Sequence, residues 1–221
     1  MTLTRPVFWY GIPRGYLQLD LDPSSEQFEL LAEQVLGMPA ELREKVDQVL
    51  RFYAGALLLL NQQQVQGCAI GLHPDGSGGI LSSVITVTTM SASGVDPKLV
   101  IATLVKTSDE VPDKHIQPLE LPCGTGFLVE EERTTTAPGK PSDGSMEPLE
   151  GTIWQGTVAV PAVASSEIVL LQLVTSEVDF VDDYRNVLLG FASTLTFTDP
   201  SLAKTESRGD SSAAQLRSPF G

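Results

Sequence analysis

From Gly67 onward the hydrophobic period of this chain changes from helical spacing to two, and that switch limits the fold more than any other feature. Cys68, Ile70 and Leu72 alternate with smaller residues. Pro74-Asp75-Gly76-Ser77-Gly78-Gly79 is a dense turn signal, and Ile80 to Met90 follows, rich in β-branched residues. This predicts a hairpin. Ile153 to Val160 and Ile168 to Thr175 predict a second one around Pro161-Ala162-Val163-Ala164-Ser165-Ser166. Consecutive strands joined this way pair antiparallel, so the fold class is α+β, an antiparallel β-sheet with helices packed on it.

The flanking segments supply the rest. Val7 to Leu21 reads as extended. Leu17, Leu19 and Leu21 alternate with Tyr16, Gln18 and Asp20, a strand with one buried face. Asp22-Pro23 starts a helix in which Phe28, Leu31 and Val35 share a face, and Gly37 and Pro39 stop it. Helical spacing returns from Ala40 to Asn61, with Gly55 to Leu60 apolar nearly all round and expected to be buried. Asp96-Pro97 repeats the helix-start device ahead of Val100, Ile101, Leu104 and Val105. His115 to Leu121 and Phe127 to Arg133 read as strands around Pro122-Cys123-Gly124-Thr125-Gly126. A last helix covers Val181 to Leu195, with Tyr184, Val187, Leu188, Phe191 and Leu195 as its core stripe, and a strand at Thr194 to Phe197 can follow. The organisation is one α+β domain over 1–198, with a mobile loop at 134–150, and a disordered tail over 199–221.

Charge narrows the partners. The 28 acids outnumber the 14 bases, a formal net charge of −14. Phosphate backbones and anionic membrane surfaces are repelled by such a field, which argues against nucleic acid. A basic or hydrophobic segment of a protein partner fits it. The longest apolar stretch, Ala54 to Leu60, is about one-third of a membrane span, so no membrane insertion is expected. No apolar leader follows Met1-Thr2-Leu3-Thr4-Arg5-Pro6, and the expected location is cytoplasmic. Cys68 and Cys123 read as free thiols in a reducing compartment.

Several clusters carry residue types suited to chemistry. His73, Asp75 and Ser77 match a serine triad in type, but all three sit in one turn, where their side chains diverge. A transition-metal site would need Cys68, Cys123, His73 and His115 to converge from two hairpins. Gly76 to Gly79 and Gly124 to Gly126 each lead into a strand and not a helix N-terminus, so they read as β-turns and not phosphate cradles. Glu130 and Glu132 share a strand face, where paired carboxylates can act as acid and base but more often form a solvated edge. Trp9, Tyr10 and Trp154 suit either an interface or a core. Arg208-Gly209-Asp210 matches an adhesion tripeptide by chance. No catalytic, cofactor-binding or metal-binding residue emerges, no cofactor is expected, and the chain reads as a non-enzyme.

The order of elements carries a resemblance. It lies in Trp9 to Asp20, in Thr152-Ile153-Trp154-Gln155-Gly156-Thr157 with Val158-Ala159-Val160-Pro161, in Ile168 to Ser176, and in the closing Leu188 to Phe197. Over residues 7–198 this arrangement resembles the PsbP-like fold. That fold is shared by photosystem II extrinsic proteins, a Ran-GTPase-binding factor, mycobacterial lipoproteins and effector-associated chaperones of bacterial type VI secretion. The resemblance implies a non-catalytic protein-interaction module, an accessory or chaperone-like factor in bacterial secretion. The alternatives are an immunity protein that neutralises a basic toxin, and a small-molecule binder or enzyme whose pocket gathers His73 or His115 with carboxylates.

Overall fold

The computed structural model describes residues 8–24, 26, 29, 57, 59–74, 80–92, 99–100, 115–136, 150–162 and 166–202. Seven strands form one sheet: β1 (Tyr16–Gln18), β2 (Gly67–Pro74), β3 (Ile80–Ser91), β4 (His115–Leu121), β5 (Gly124–Thr136), β6 (Glu150–Pro161) and β7 (Glu167–Thr175). Their spatial order is β1-β2-β3-β7-β6-β5-β4, and every neighbouring pair is antiparallel. A 3₁₀ turn, Val178–Phe180, leads into a helix, α1 (Val181–Ser193). The α+β class and both sequence-predicted hairpins are therefore present. The β4–β5 pair adds a third hairpin, closed by Pro122 and Cys123 between the paired Leu121 and Gly124.

The inner face of the sheet holds the core. Ile85 and Val87 of β3, Val169, Leu171 and Leu173 of β7, Trp154, Val158 and Val160 of β6 and Leu128 of β5 are all buried there. They pack against Tyr184, Leu188, Phe191 and Ala192 of α1 and against Leu195 just beyond it. Asp182 and Asp183 in the first turn of α1 complement the positive end of its dipole. The predicted strand at Thr194 to Phe197 is reduced to one bridge. Trp9 and Thr196 exchange backbone hydrogen bonds of 2.9 Å, tying the two ends of the domain together.

The first and second strands differ from the expected pattern. Tyr16, not the leucine row, packs on the core, and Leu17 is 71% exposed. On β2 the residues facing inward are Gly67, Ala69 and Gly71, while Leu72 points outward at 61% exposure. Aromatic rings explain this inversion. A Cβ on Gly67 would stand 2.0 Å from the Tyr10 Oη, and one on Gly71 would stand 2.7 Å from the Tyr16 ring. Large rings laid over glycines bury as much apolar surface as two aliphatic side chains meeting half-way. Tyr10 in turn meets Phe191 edge-on, with ring centroids 5.5 Å apart.

Several segments that the sequence assigns to loops and helices fall partly outside the described residues. Strand β5 runs on to Thr136 and β6 begins at Glu150, so both ends of the 134–150 segment belong to the sheet, and 137–149 lie outside the described residues. Residues 200–202 are helical, with the Leu202 N–H donating to the Asp199 carbonyl at 3.1 Å, and 203–221 lie outside. Most of each helix expected over 22–37, over 40–61 and after Pro97 lies outside as well. Of the described part of the Gly55 to Leu60 run, Leu57 is buried and Leu59 is 59% exposed, so that run is not buried all round. Among the described residues no helix is long and apolar enough to cross a membrane.

Candidate functional site

The structure separates the residues that the sequence offered for chemistry. His73 lies near the end of β2, its ring against Tyr16 at a centroid distance of 5.4 Å. Asp75 and Ser77 lie outside the described residues, as do Gly76, Gly78, Gly79 and the tripeptide at 208–210. His115 opens β4, opposite Glu130 in the ladder. Cys68 is on β2 and Cys123 in the β4–β5 turn, and three strands lie between β2 and β5. Among the described residues no group of three or more His, Cys, Asp or Glu gathers as a metal site would require. The Gly124-Thr125-Gly126 segment is paired strand at the start of β5 and leads into no helix; the turn expected there is made by Pro122 and Cys123 just before it. Trp154 is 2% exposed and belongs to the core, and Trp9 is half-buried at the bridge to Thr196.

Glu130 and Glu132 do not form a solvated edge, because β5 is not an edge strand. It is flanked by β4 and β6. Glu130 is 7% exposed and accepts a 2.6 Å hydrogen bond from the Arg185 Nε of α1, whereas Glu132, on the same face, is exposed. Arg185 also pairs with Asp182 one turn earlier on the helix. The Glu130 carboxylate, with Asp182 behind it, pushes the Arg185 guanidinium pKa above its ordinary value. This cluster clamps α1 to the sheet. An arginine three residues after an aspartate on the closing helix was the sequence signal for it, but its partner lay 55 residues away.

Burial is the main perturbation of Cys68, Tyr10 and Tyr16. It pushes the Cys68 thiol above 9.0, and Tyr10 and Tyr16 above 10.0, the latter against a 2.6 Å hydrogen bond to the Ser83 Oγ that acts the other way. A group whose pKa is raised by folding holds its proton more tightly in the native state. Its contribution is full below the unfolded value and is lost as pH rises through the folded one. The thermal midpoint is therefore expected to hold steady to pH 9 and then fall as pH climbs, first with the Cys68 thiol and then with the tyrosines. Melting curves between pH 7 and pH 11, alongside tyrosinate absorbance, test this. A midpoint that stays level to pH 11 contradicts it. These buried, raised groups are not poised as nucleophiles or bases near neutrality.

Among the described residues, the outer face of the sheet holds an extended apolar arrangement outside the core. Register places Leu17, Ile70, Val84 and Val174 in a single row across β1, β2, β3 and β7. Leu72 stands beside Ile70 on β2. Leu17, Leu72 and Val84 are 71%, 61% and 38% exposed, and Ile70 and Val174 are half-buried. Strand spacing makes the row about 14 Å long. The other end of the same face is also apolar, but there Met90, Phe127, Leu170, Ala159 and Ile168 pack with Val100. Between the two apolar areas runs a polar ladder. Thr86 donates to Gln172 at 3.4 Å, and Gln172 and Gln155 both donate to Thr157, at 3.3 and 3.5 Å.

Carboxylates bound the open row. At the β1 end it reaches a cleft of about 500 Å³ lined by Gln18, Leu19, Asp20, Leu21, Asp22 and Gln66 with Gly67. The Leu19 N–H donates to the Cys68 carbonyl at 2.9 Å and holds this segment against β2. At the other end the row passes from Val174 to Gln155 and then Glu131. The far edge of the sheet is closed to strand addition. Leu121 and Gly124 flank a two-residue turn, so Ile116, Pro118 and Glu120 direct their backbone outward, where proline offers no N–H and glutamate adds charge.

No family model matches the chain, and no curated protein matches it. Among solved structures it is similar to LpqN, a protein involved in cell envelope biogenesis of Mycobacterium tuberculosis. The TM-score is 0.43 and the identity 12%, over 87% of this chain and 83% of that one.

Proposed function

We propose that this protein is a non-catalytic protein-interaction module, that its sheet belongs to the PsbP-like type, and that it binds its partner through the outer-face row Leu17, Ile70, Val84 and Val174 with Leu72. The observation that carries this reading is the exposure of the row. Two leucines and a valine stand open on one contiguous face, and apolar side chains gathered in this way are usual at sites of protein contact. The acidic balance supports a protein partner over nucleic acid. The resemblance in element order supports an accessory or chaperone-like role in bacterial secretion.

A photo-crosslinking diazirine side chain placed at Leu17 or at Val84 of the full chain tests the reading in the cells that make the protein. One protein partner is expected to be captured from both positions and not from Thr135, which is exposed at the end of β5. No adduct from either position, or equal capture from Thr135, refutes it.

A further inference from the structure

The sheet edge beside Leu17 offers unpaired backbone as well as an exposed apolar side chain. We infer that the partner binds by strand addition: an extended segment of another protein pairs with the outer edge of β1 and sets an apolar side chain beside Leu17. The inference rests on the protein-binding reading above and adds the form of the bound segment.

The pairing of β1 fixes which of its backbone groups are free. Tyr16, Leu17 and Gln18 stand opposite Gly71, Ile70 and Ala69. The Leu19 N–H, next in the same register, donates to the Cys68 carbonyl at 2.9 Å. Bonded pairs in an antiparallel ladder recur at every second residue. Leu17 therefore exchanges its bonds with Ile70, while the backbones of Tyr16 and Gln18 face away from the sheet. The Tyr16 N–H is taken by the Pro13 carbonyl at 3.2 Å. Among the described residues the Tyr16 carbonyl and both backbone groups of Gln18 have no partner. Leu17 and Gln18 are exposed, so this edge is open. The opposite edge is guarded by Pro118 and Glu120 of β4, but Tyr16–Gln18 carries neither proline nor charge.

An extended segment laid antiparallel along β1 satisfies all three free groups. One of its residues exchanges both bonds with Gln18, and the residue two further on donates its N–H to the Tyr16 carbonyl. The residue between them stands opposite Leu17 on the outer face, where an apolar side chain lengthens the row by one strand spacing, about 4.8 Å. Beyond Gln18 the edge borders the cleft of about 500 Å³, which gives the segment room to continue. A helix does not fit this edge, because its interior N–H groups are already bonded within it. A second copy would meet the edge with the three residues of its own β1, far short of the roughly 800 Å² per partner that a stable pair of folded proteins buries.

The probe is a nine-residue peptide of alternating valine and threonine between two lysines, read by fluorescence anisotropy against the full chain. With valine opposite Leu17, the threonine amides face β1. Methylating the threonine amide nitrogens is expected to weaken binding at least about tenfold relative to methylating those of valine. Gln18→Pro removes only an outward N–H, so it is expected to leave the melting temperature unchanged and to weaken the unmethylated peptide at least about tenfold. Gln18→Ala, which keeps the N–H, is expected to bind as the parent does. In hydrogen exchange the Gln18 amide is expected to exchange faster than that of Leu17 and to slow when the peptide is added. Equal binding of the two methylated peptides, binding of neither they nor the parent peptide, or a folded Gln18→Pro protein that binds normally overturns the inference. So does self-association that Gln18→Pro abolishes. If the diazirine experiment captures a partner while the methylated peptides bind alike, strand addition fails and the protein-binding reading stands. If the diazirine captures nothing, both fail.

Discussion

Replacing Gly156 with valine is expected to cost the fold about 3 kcal/mol or more, lowering the melting temperature by roughly 10 °C. A Cβ at this position would stand 2.5 Å from the Trp154 Cη2, 2.9 Å from its Cζ2 and 2.7 Å from the Leu188 Cδ2. The tryptophan ring lies over the glycine two residues along β6, beneath α1. Neither neighbour has room to withdraw, since Trp154 is 2% and Leu188 0% exposed. Valine is otherwise well suited to a central strand, so propensity predicts a gain and packing predicts a loss. A total stability of about 5–15 kcal/mol makes a loss of this size large. Gly151→Val is the control, because that position on the same strand has nothing within 4 Å of a new Cβ. It should leave the melting temperature unchanged or slightly raised. Thermal denaturation followed by tryptophan fluorescence measures both. A Gly156→Val protein that melts within 2 °C of the parent, on the same scale, would show that Trp154 does not lie over this glycine.

The second large effect concerns the clamp between α1 and the sheet. Arg185→Ala is expected to destabilise the protein by about 2–3 kcal/mol, because it leaves the Glu130 carboxylate buried without its counter-charge. The figure sits at the low end for a broken buried pair, since Arg185 is one-third exposed and water reaches its outer side. Asp182→Ala removes the exposed member of the cluster and is expected to cost no more than about 0.5 kcal/mol. Replacing Glu130 and Arg185 together by leucine should recover most of the loss, since a well-packed apolar pair avoids the desolvation of both ions. Urea denaturation of the two single variants and the double forms a complete cycle. Additive losses in Glu130→Leu and Arg185→Leu, with no recovery in the double, would show that the two residues do not act as a pair.

The clamp and the outer-face row were the least legible parts of the sequence, for different reasons. Glu130 belongs to a run of three glutamates, which by composition reads as solvated. Its burial follows from β5 lying between β4 and β6, a fact of strand order and not of local pattern. The row is invisible because its members come from four strands spread between Leu17 and Val174, brought together only by strand pairing. Alternation on β2 showed which residues share a face. It could not show which face is inward, since that depends on the Tyr10 and Tyr16 rings arriving over Gly67 and Gly71.

By itself the sequence determined the local elements: the period-two runs, the turns that join them, the closing amphipathic helix and a charge that repels phosphate. These depend on contacts between near neighbours, and a period of two or 3.6 records them directly. Only the tertiary structure decided the strand order, the inversion of β2, the burial of Glu130 beneath Arg185 and the open apolar row between carboxylates. Each of these depends on pairing between residues far apart in the chain, where side-chain size and charge are matched across strands that no local pattern connects.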